Sequence, residues 1–247
     1  MNILASKQFI SLSGKPGQTG SFFYQKGFSF FSLDANYSAL LCNSNVQFQS
    51  ILQKLQFAGI SVSMPFKRTA FSLSSVRDKS AIDAECVNTL VLKNGTYHGY
   101  STDIDGVDWL INEIIVGDVA ILGNGAIGTM LSKRLTQIQK PFSIFSRSLN
   151  NWHQRHGNFD TIINCTALGT MTSESPLNSV KERCVVVDLP LKRGNLENVV
   201  SKSNATYIPG IDFYSRVFRS QFRIYTNLEA PIDLVNKWKE EWVHSNV

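Results

Sequence analysis

Six residues near the middle of the chain, Gly123-Asn124-Gly125-Ala126-Ile127-Gly128, have the composition and spacing of a phosphate cradle. In a G-x-G-x-x-G turn the first glycine permits a tight bend, the second lets backbone approach a pyrophosphate, and the third lets a helix pack closely on the preceding strand. The start of that helix offers unpaired N–H groups and the positive end of its dipole to the phosphates. Dinucleotide binding is the chemistry implied. Further on, where the next strand should end beside the adenosine ribose, the chain reads Ser146-Arg147-Ser148. An NAD site places a carboxylate there to accept from the 2′-hydroxyl. An arginine between two hydroxyls suits a 2′-phosphate instead, so NADP is the expected cofactor. On its own, Arg147 is also compatible with an ordinary solvated arginine.

Such a loop needs a strand before it and a helix after it. Asp118-Val119-Ala120-Ile121-Leu122 is a short apolar run ending at the glycines, and Ile127, Met130, Leu131, Leu135 and Ile138 recur at intervals that place them on one helix face. Four more strand-length apolar runs follow: Phe142 to Phe145, Thr161 to Cys165, Cys184 to Leu189 and Ala205 to Ile208. None alternates strictly, as expected of parallel strands buried on both faces. The segments between the last three are too short and broken for long helices. This pattern predicts a doubly wound α/β domain. Upstream, Gln47 to Phe57 has helical spacing and leads into a strand at Gly59 to Ser63. Val87 to Leu92 and Tyr97 to Tyr100 flank Asn94-Gly95, a strong hairpin signal, so the first part reads as a separate α/β unit. Asp212 to Tyr225 and Pro231 to Val243 read as helices, with the proline where a first turn tolerates it.

Bulk properties narrow the function classes without choosing one. The 247 residues are 43% hydrophobic and 17% charged, which fits a globular chain and not a disordered or coiled-coil one. The net charge of +5 comes from scattered lysines and arginines with no basic run, so nucleic acid is not an expected partner. The same balance favours an anionic substrate and a phosphorylated cofactor by electrostatic steering. Met1 to Ile10 lacks the pattern of a secretory signal and no apolar run reaches spanning length, so no membrane partner is expected. Cys42, Cys86, Cys165 and Cys184 are widely spaced. They indicate neither a disulfide framework nor a metal site, and a cytoplasmic location fits them best. The oligomeric state is left open.

Two segments of the first half each follow a predicted strand: Ser61-Val62-Ser63-Met64-Pro65-Phe66-Lys67 and Ser101-Thr102-Asp103-Ile104-Asp105-Gly106. Together with Val87-Asn88-Thr89-Leu90 they resemble the shikimate dehydrogenase family, whose patterns there are N-V-T-x-P-x-K, N-T-D-x-x-G and A-V-N-T-L. The resemblance continues in the family's order through the glycine loop, Ser146-Arg147-Ser148, Asn164-Cys165-Thr166 and Pro209-Gly210-Ile211. The stretch Gln221 to Thr226 looks most like the dehydrogenase half of bifunctional dehydroquinate dehydratase/shikimate dehydrogenase proteins. No stretch is left to supply the dehydratase half, so a standalone dehydrogenase is implied.

What the resemblance implies is an NADP-dependent oxidoreductase of aromatic amino-acid (chorismate) biosynthesis, interconverting 3-dehydroshikimate and shikimate by hydride transfer, with a small shikimate-like acid as its partner. Its fold would be two-domain α/β. Residues 1–103 plus 212–247 would form the substrate-binding and catalytic domain, and 104–211 the Rossmann-like NADP-binding domain, with the site in the cleft between them. Lys67 and Asp103 would be the catalytic pair. A hydroxyl proton must leave as hydride leaves carbon, so a proton-carrying group has to lie within hydrogen-bond reach. Lys67 is the implied carrier and Asp103 its orienting partner. Substrate ligands would be Thr19, Ser21, Ser61, Asn88 and Gln221. The cofactor set would be Gly123, Asn124, Gly125, Ala126, Ile127, Gly128, Ser146, Arg147, Ser148, Thr166 and Gly210. On spacing alone, Lys67 reads equally as a surface lysine after a turn and Asp103 as a helix cap.

The chain departs from the family at the substrate end. The segment Gly14-Lys15-Pro16 is followed by Gly17 to Phe22, shorter than the family's G-x-P and S-x-S-P pattern, with Thr19 and Ser21 left to supply the two hydroxyls. Ser61 and Ser101 stand where the family has asparagines. The glutamine expected seven residues after Gly210 is Val217, and Gln221 lies one helical turn later. These changes leave open quinate or another polyol acid as substrate, or a catalytically weak nucleotide or metabolite sensor.

Overall fold

The computed structural model describes residues 6–168, 174–192 and 194–246. It divides into two compact units, one comprising residues up to Ile104 and from Val217 onward, the other Asp105–Arg216. Both are α/β domains, the second Rossmann-like.

In the first unit the chain runs β1 (Lys7–Ser13), α1 (Thr19–Phe30), β2 (Ala35–Leu41), α2 (Asn45–Lys54), β3 (Gly59–Val62), α3 (Lys67–Leu73), β4 (Val76–Arg77), α4 (Lys79–Ala84), β5 (Thr89–Lys93) and β6 (Thr96–Tyr100). The six strands form one mixed sheet in the order β2-β1-β3-β5-β6-β4. β1 pairs in parallel with β2 and β3, while β5 is antiparallel to both β3 and β6. The β5–β6 turn places Asn94 and Gly95 at φ 50° and 78°, the left-handed pair that a tight hairpin requires and that asparagine and glycine tolerate best. α2 begins where the Ser44 hydroxyl accepts from the Gln47 N–H at 3.1 Å, closing one of the open donors of its first turn.

The first 44 residues, to which the sequence pattern assigns no helix or strand, contain β1, α1 and β2. The physical reason is visible in α1. It carries Gly20 and Gly27 and is rich in serine and phenylalanine, a weak helix former by propensity. It is held by packing: Phe23, Tyr24 and Phe28 are buried, and the ring of Phe222 occupies the space that a β-carbon on Gly27 would take. The opposite core has Leu12, Ile60, Val62, Phe66, Ala70 and Leu90 at its centre.

α5 (Asp103–Trp109) begins in the first unit, continues into the second from Asp105, and passes into a π-helical turn, Leu110–Ile114. Then follow β7 (Val119–Leu122), α6 (Ala126–Gln137), β8 (Phe142–Phe145), β9 (Thr161–Asn164), β10 (Val185–Asp188), α7 (Asn195–Val200) and β11 (Thr206–Pro209). All five strands are parallel, in the order β11-β10-β9-β7-β8. The strand order reverses between β7 and β9, and in open sheets of this kind the crevice outside the carboxyl ends at that reversal is where ligands bind. Met130, Leu131 and Leu135 of α6 are buried as their spacing requires, but Ile138 is 54% exposed because the helix has ended before it.

α8 (Gly210–Thr226) and α9 (Ile232–Asn246) complete the chain. The expected domain border at 211/212 falls inside α8, and the compact units divide at 216/217 instead. The first turns of α8 pack within the second unit. The Phe213 ring fills the space beside Gly106, and the Arg216 guanidinium lies over the Trp109 ring at 5.2 Å.

Candidate functional site

Two groups of polar residues emerge, one in each unit. In the first, Lys67 opens α3 just past the end of β3, and Asp103 opens α5 just past the end of β6. The Lys67 Nζ donates to the Asp103 Oδ2 at 2.6 Å, and the two side chains are only 13% and 5% exposed. Lys67 is therefore not a surface lysine. Asp103 is the first residue of its helix, and its carboxylate accepts from Lys67 with no backbone N–H bonded to it among the described residues. A buried ion pair survives desolvation only when its geometry is good, and this one is anchored on both sides. The Lys67 carbonyl accepts from the Val87 N–H at 3.0 Å. Next to it, Asn88 is 4% exposed and its Oδ1 accepts from the Thr102 N–H (2.9 Å), the Thr102 hydroxyl (3.1 Å) and the Thr89 hydroxyl (2.8 Å). The backbone donor at Thr102 fixes which way the amide points. Its Nδ2 is left without a partner among the described residues.

Gln221, on α8, sits at the centre of a second network. Its Oε1 accepts from the Tyr24 hydroxyl and from the Ser61 hydroxyl, each at 2.8 Å, and its Nε2 donates to the Thr89 Oγ1 at 2.7 Å and the Asn88 carbonyl at 3.1 Å. A glutamine amide has two donors and two acceptor positions, so all four are filled by protein. Ser61 Oγ also lies 3.0 Å from the Tyr225 hydroxyl. Tyr37 bonds to Ser61 and Ser11, and burial pushes its phenol well above the usual range. Val217, one turn earlier, is buried and apolar. Thr19 and Ser21 lie in the first turn of α1, Thr19 buried and Ser21 half-buried. Neither hydroxyl bonds to another described residue. The structure thus joins Ser61, Asn88 and Gln221 into one network and Lys67 with Asp103 into a pair, while Thr19 and Ser21 stand outside both. Tyr24, Tyr225, Thr89 and Thr102 belong to the network too. Thr89 and Thr102 stand beside Asn88 and Asp103 in sequence, but an aromatic side chain at helical spacing reads as core, and no sequence signal marks the two tyrosines.

The second group lies at the carboxyl ends of β7, β8 and β9. Gly123 adopts φ 97°, a conformation L residues rarely take, and a β-carbon on Gly128 would come within 2.1 Å of the Gly123 carbonyl oxygen. Gly125 is exposed, with nothing within 4 Å of the position a β-carbon would occupy, and as the residue before α6 it gives the helix no side-chain cap. Ala126 and Ile127 form the first turn, half-buried. The Ser148 hydroxyl donates to the Asn124 Oδ1 at 3.0 Å and lies 3.0 Å from the Ser146 hydroxyl, tying the loop after β8 to the glycine loop. Asn151 pins that loop from within, accepting from the Ser146 N–H at 2.9 Å and donating to the Ile144 carbonyl at 2.8 Å. Arg147 is exposed at its tip. The Thr166 methyl group lies 2.9 Å from a β-carbon placed on Gly123. A β-carbon on Gly210 would meet the Leu189 carbonyl at 2.2 Å, so close packing demands glycine there. Among the described residues no cluster of His, Cys, Asp and Glu could hold a metal.

These observations define a class, a two-domain α/β protein whose second domain is Rossmann-like. The family model described as the shikimate dehydrogenase substrate binding domain matches residues 19–90. The shikimate dehydrogenase (NADP(+)) of Staphylococcus aureus strain Newman is 24% identical over 240 residues, covering 85% of this chain and 88% of that protein. Among solved structures, the Thermus thermophilus shikimate 5-dehydrogenase in complex with shikimate has a TM-score of 0.79 at 18% identity, covering 96% of this chain and 99% of that one. A shikimate dehydrogenase in complex with NADP+ has a TM-score of 0.75 at 21% identity, covering 98% and 97%. The chain is thus similar to shikimate dehydrogenases, in sequence along most of its length and in fold.

Proposed function

We propose that the chain is an NADP-dependent dehydrogenase that interconverts 3-dehydroshikimate and shikimate in the cytoplasm. The observation that carries this reading is the buried Lys67–Asp103 pair beside an Asn88 amide whose donor is uncommitted. Such an arrangement offers a proton carrier and a hydrogen-bond donor to an oxygen on a small substrate. Lys67 Nζ would take the hydroxyl proton in alcohol oxidation and return it to the carbonyl oxygen in reduction, with Asp103 Oδ2 fixing the position of that nitrogen. The residues of the second unit fit the cofactor. The uncapped first turn of α6 and the open space at Gly125 leave backbone N–H groups for a pyrophosphate, and Arg147, Ser146 and Ser148 suit a 2′-phosphate. NADP bound there would accept or supply the hydride. The structural likeness to proteins solved with shikimate and with NADP+ supports the same assignment.

One observation favours a second substrate within the same reaction. All four hydrogen-bonding positions of Gln221 are filled by protein, and Val217 is apolar. A site that offers fewer groups to substrate hydroxyls accepts a different hydroxyl pattern, so quinate or another polyol acid is the alternative. Purified protein with shikimate and NADP+ is expected to generate the absorbance of the reduced cofactor. A greater kcat/KM with quinate would move the assignment to the alternative. A lower KM for NAD+ than for NADP+ would overturn the cofactor, and no reduced cofactor with either acid would overturn the reaction.

A further inference from the structure

Asp188, the last residue of β10, is 1% exposed, and no cation pairs with it among the described residues. Burying a carboxylate is costly unless it is hydrogen-bonded, and here two neutral donors serve it. The Asn164 Nδ2 donates to Oδ1 at 2.7 Å, and the Tyr207 hydroxyl donates to Oδ2 at 3.0 Å. Burial pushes the carboxyl up, with these two bonds opposing the shift.

The contact with Asn164 leads directly into the loop after β9. Asn164 is fully buried, and with its Nδ2 held by Asp188 its Oδ1 is turned to accept from both the Thr166 N–H (3.0 Å) and the Thr166 hydroxyl (2.7 Å). The Thr166 Oγ1 in turn accepts from the Leu168 N–H at 3.2 Å. The Cys165 N–H donates to the Leu122 carbonyl at 2.8 Å, extending the β7–β9 ladder, and the Thr166 methyl group packs on Gly123. One buried carboxylate therefore stands behind a chain of hydrogen bonds that ends against the glycine loop, at the point where the strand order reverses.

We propose that Asp188 is a positioning residue, holding the Thr166 loop against the glycine loop through Asn164 and thereby setting the affinity for the dinucleotide. The link to affinity rests on the proposed cofactor; the hydrogen-bond relay does not. Removing Asp188 frees the Asn164 amide to turn, and Thr166 then loses both bonds to it.

The test uses Asp188→Ala and Asp188→Asn in the full chain, with Tyr207→Phe as a milder break in the same relay should the alanine variant not fold. Residue-resolved amide exchange in the free protein reads the loop, and calorimetric titration with NADP+ reads affinity. In Asp188→Ala the Thr166 and Leu168 amides are expected to exchange about tenfold faster while Cys165 is unchanged, and the Kd for NADP+ to rise about tenfold, the scale of one lost charge-assisted hydrogen bond. Asp188→Asn keeps an acceptor for Asn164 and should restore most of both, and Tyr207→Phe should give a smaller change in the same direction. Unchanged exchange at Thr166 and Leu168, faster exchange with no change in Kd, or an asparagine variant no better than alanine would each overturn the proposal. If the unaltered protein binds no NADP+, the proposed cofactor and the link to affinity both fail, and the exchange rates alone decide whether Asp188 positions the loop.

Discussion

The polar groups of the two units are committed in opposite ways. Around Gln221 in the first unit, side chains bond to one another: Tyr24, Ser61 and Thr89 meet the amide, and Lys67 meets Asp103. Around Gly125 in the second, backbone groups are left open at the start of α6 and Arg147 projects from an exposed tip. A side-chain site is made rigid by mutual contacts and presents few free positions, such as the Nδ2 of Asn88. A backbone site is made by what is missing, namely β-carbons and caps. Substitutions should therefore damage stability in the first case and binding in the second, and the exceptions to that rule identify groups that do chemistry.

Lys67→Ala should be the largest exception. It leaves Asp103 buried without its cation, which costs stability, but its main effect should be on turnover. A fall in kcat of about a hundredfold to ten-thousandfold is expected for loss of a proton carrier. Steady-state kinetics on folded variant decides this, and kcat within twofold of the unaltered protein would remove Lys67 from the reaction. Asp103→Asn should reduce kcat less, because Lys67 remains.

Gln221→Leu keeps the volume and removes the amide. The Tyr24 and Ser61 hydroxyls then lose their acceptor, and the Asn88 carbonyl and Thr89 hydroxyl lose a donor. Four buried hydrogen bonds are removed, although Ser61 keeps Tyr225, Thr89 keeps the Asn88 Oδ1 and the Asn88 carbonyl keeps the Val62 N–H, and urea unfolding should show a loss of about 3 kcal/mol. A loss below about 1 kcal/mol would mean that the network relaxes or takes up water, and the contrast between the units would weaken. Gly125→Val is the counterpart. Gly125 has φ −67° and ψ −168° with open space around it, so valine fits the backbone. Stability should change by no more than about 0.5 kcal/mol, as for most exposed positions, while the Kd for NADP+ rises more than about tenfold, a cost above 1.4 kcal/mol. Retained affinity in a folded Gly125→Val protein would remove the glycine loop from the cofactor site.

The same contrast explains what could be read from the sequence. A backbone site is local: Gly123, Gly125 and Gly128 lie within six residues and announce a turn between strand and helix, as the structure bears out. The five parallel strands were equally legible as short apolar runs, the central β7, β9 and β10 because they are buried on both faces, while β8 and β11 lie partly exposed at the edges. In the first unit the contacts are not local. The Tyr24 and Ser61 hydroxyls reach Gln221 from 197 and 160 residues away, so no spacing rule relates them, and only the resemblance to a family singled out Lys67, Asn88 and Asp103. That resemblance marks Gln221 as a substrate ligand; it does not reveal that the amide is already saturated. α1 was hidden for a related reason, since its helix is held by aromatic packing against α8 and not by its own propensity.

The smallest effect separates the two buried aspartates. Asp103 faces a lysine ammonium, whereas Asp188 faces two neutral donors, and burial raises its carboxyl above the ordinary range. The folded protein then binds the Asp188 proton more tightly than the unfolded chain does. Stability from this group is fully present below the unfolded value of about 3.9, declines as pH rises from there, and levels off above the raised native value. Asp160 acts in the opposite sense, because the bond from Lys181 lowers its carboxyl and its contribution is lost as pH falls. Subtracting the profile of Asp188→Asn cancels Asp160 and every other unaltered group. The difference, unaltered protein minus variant, should decline with rising pH across the acid range and then become flat. A difference that does not depend on pH would mean that Asp188 titrates as it does in the unfolded chain, its two neutral donors offsetting the effect of burial.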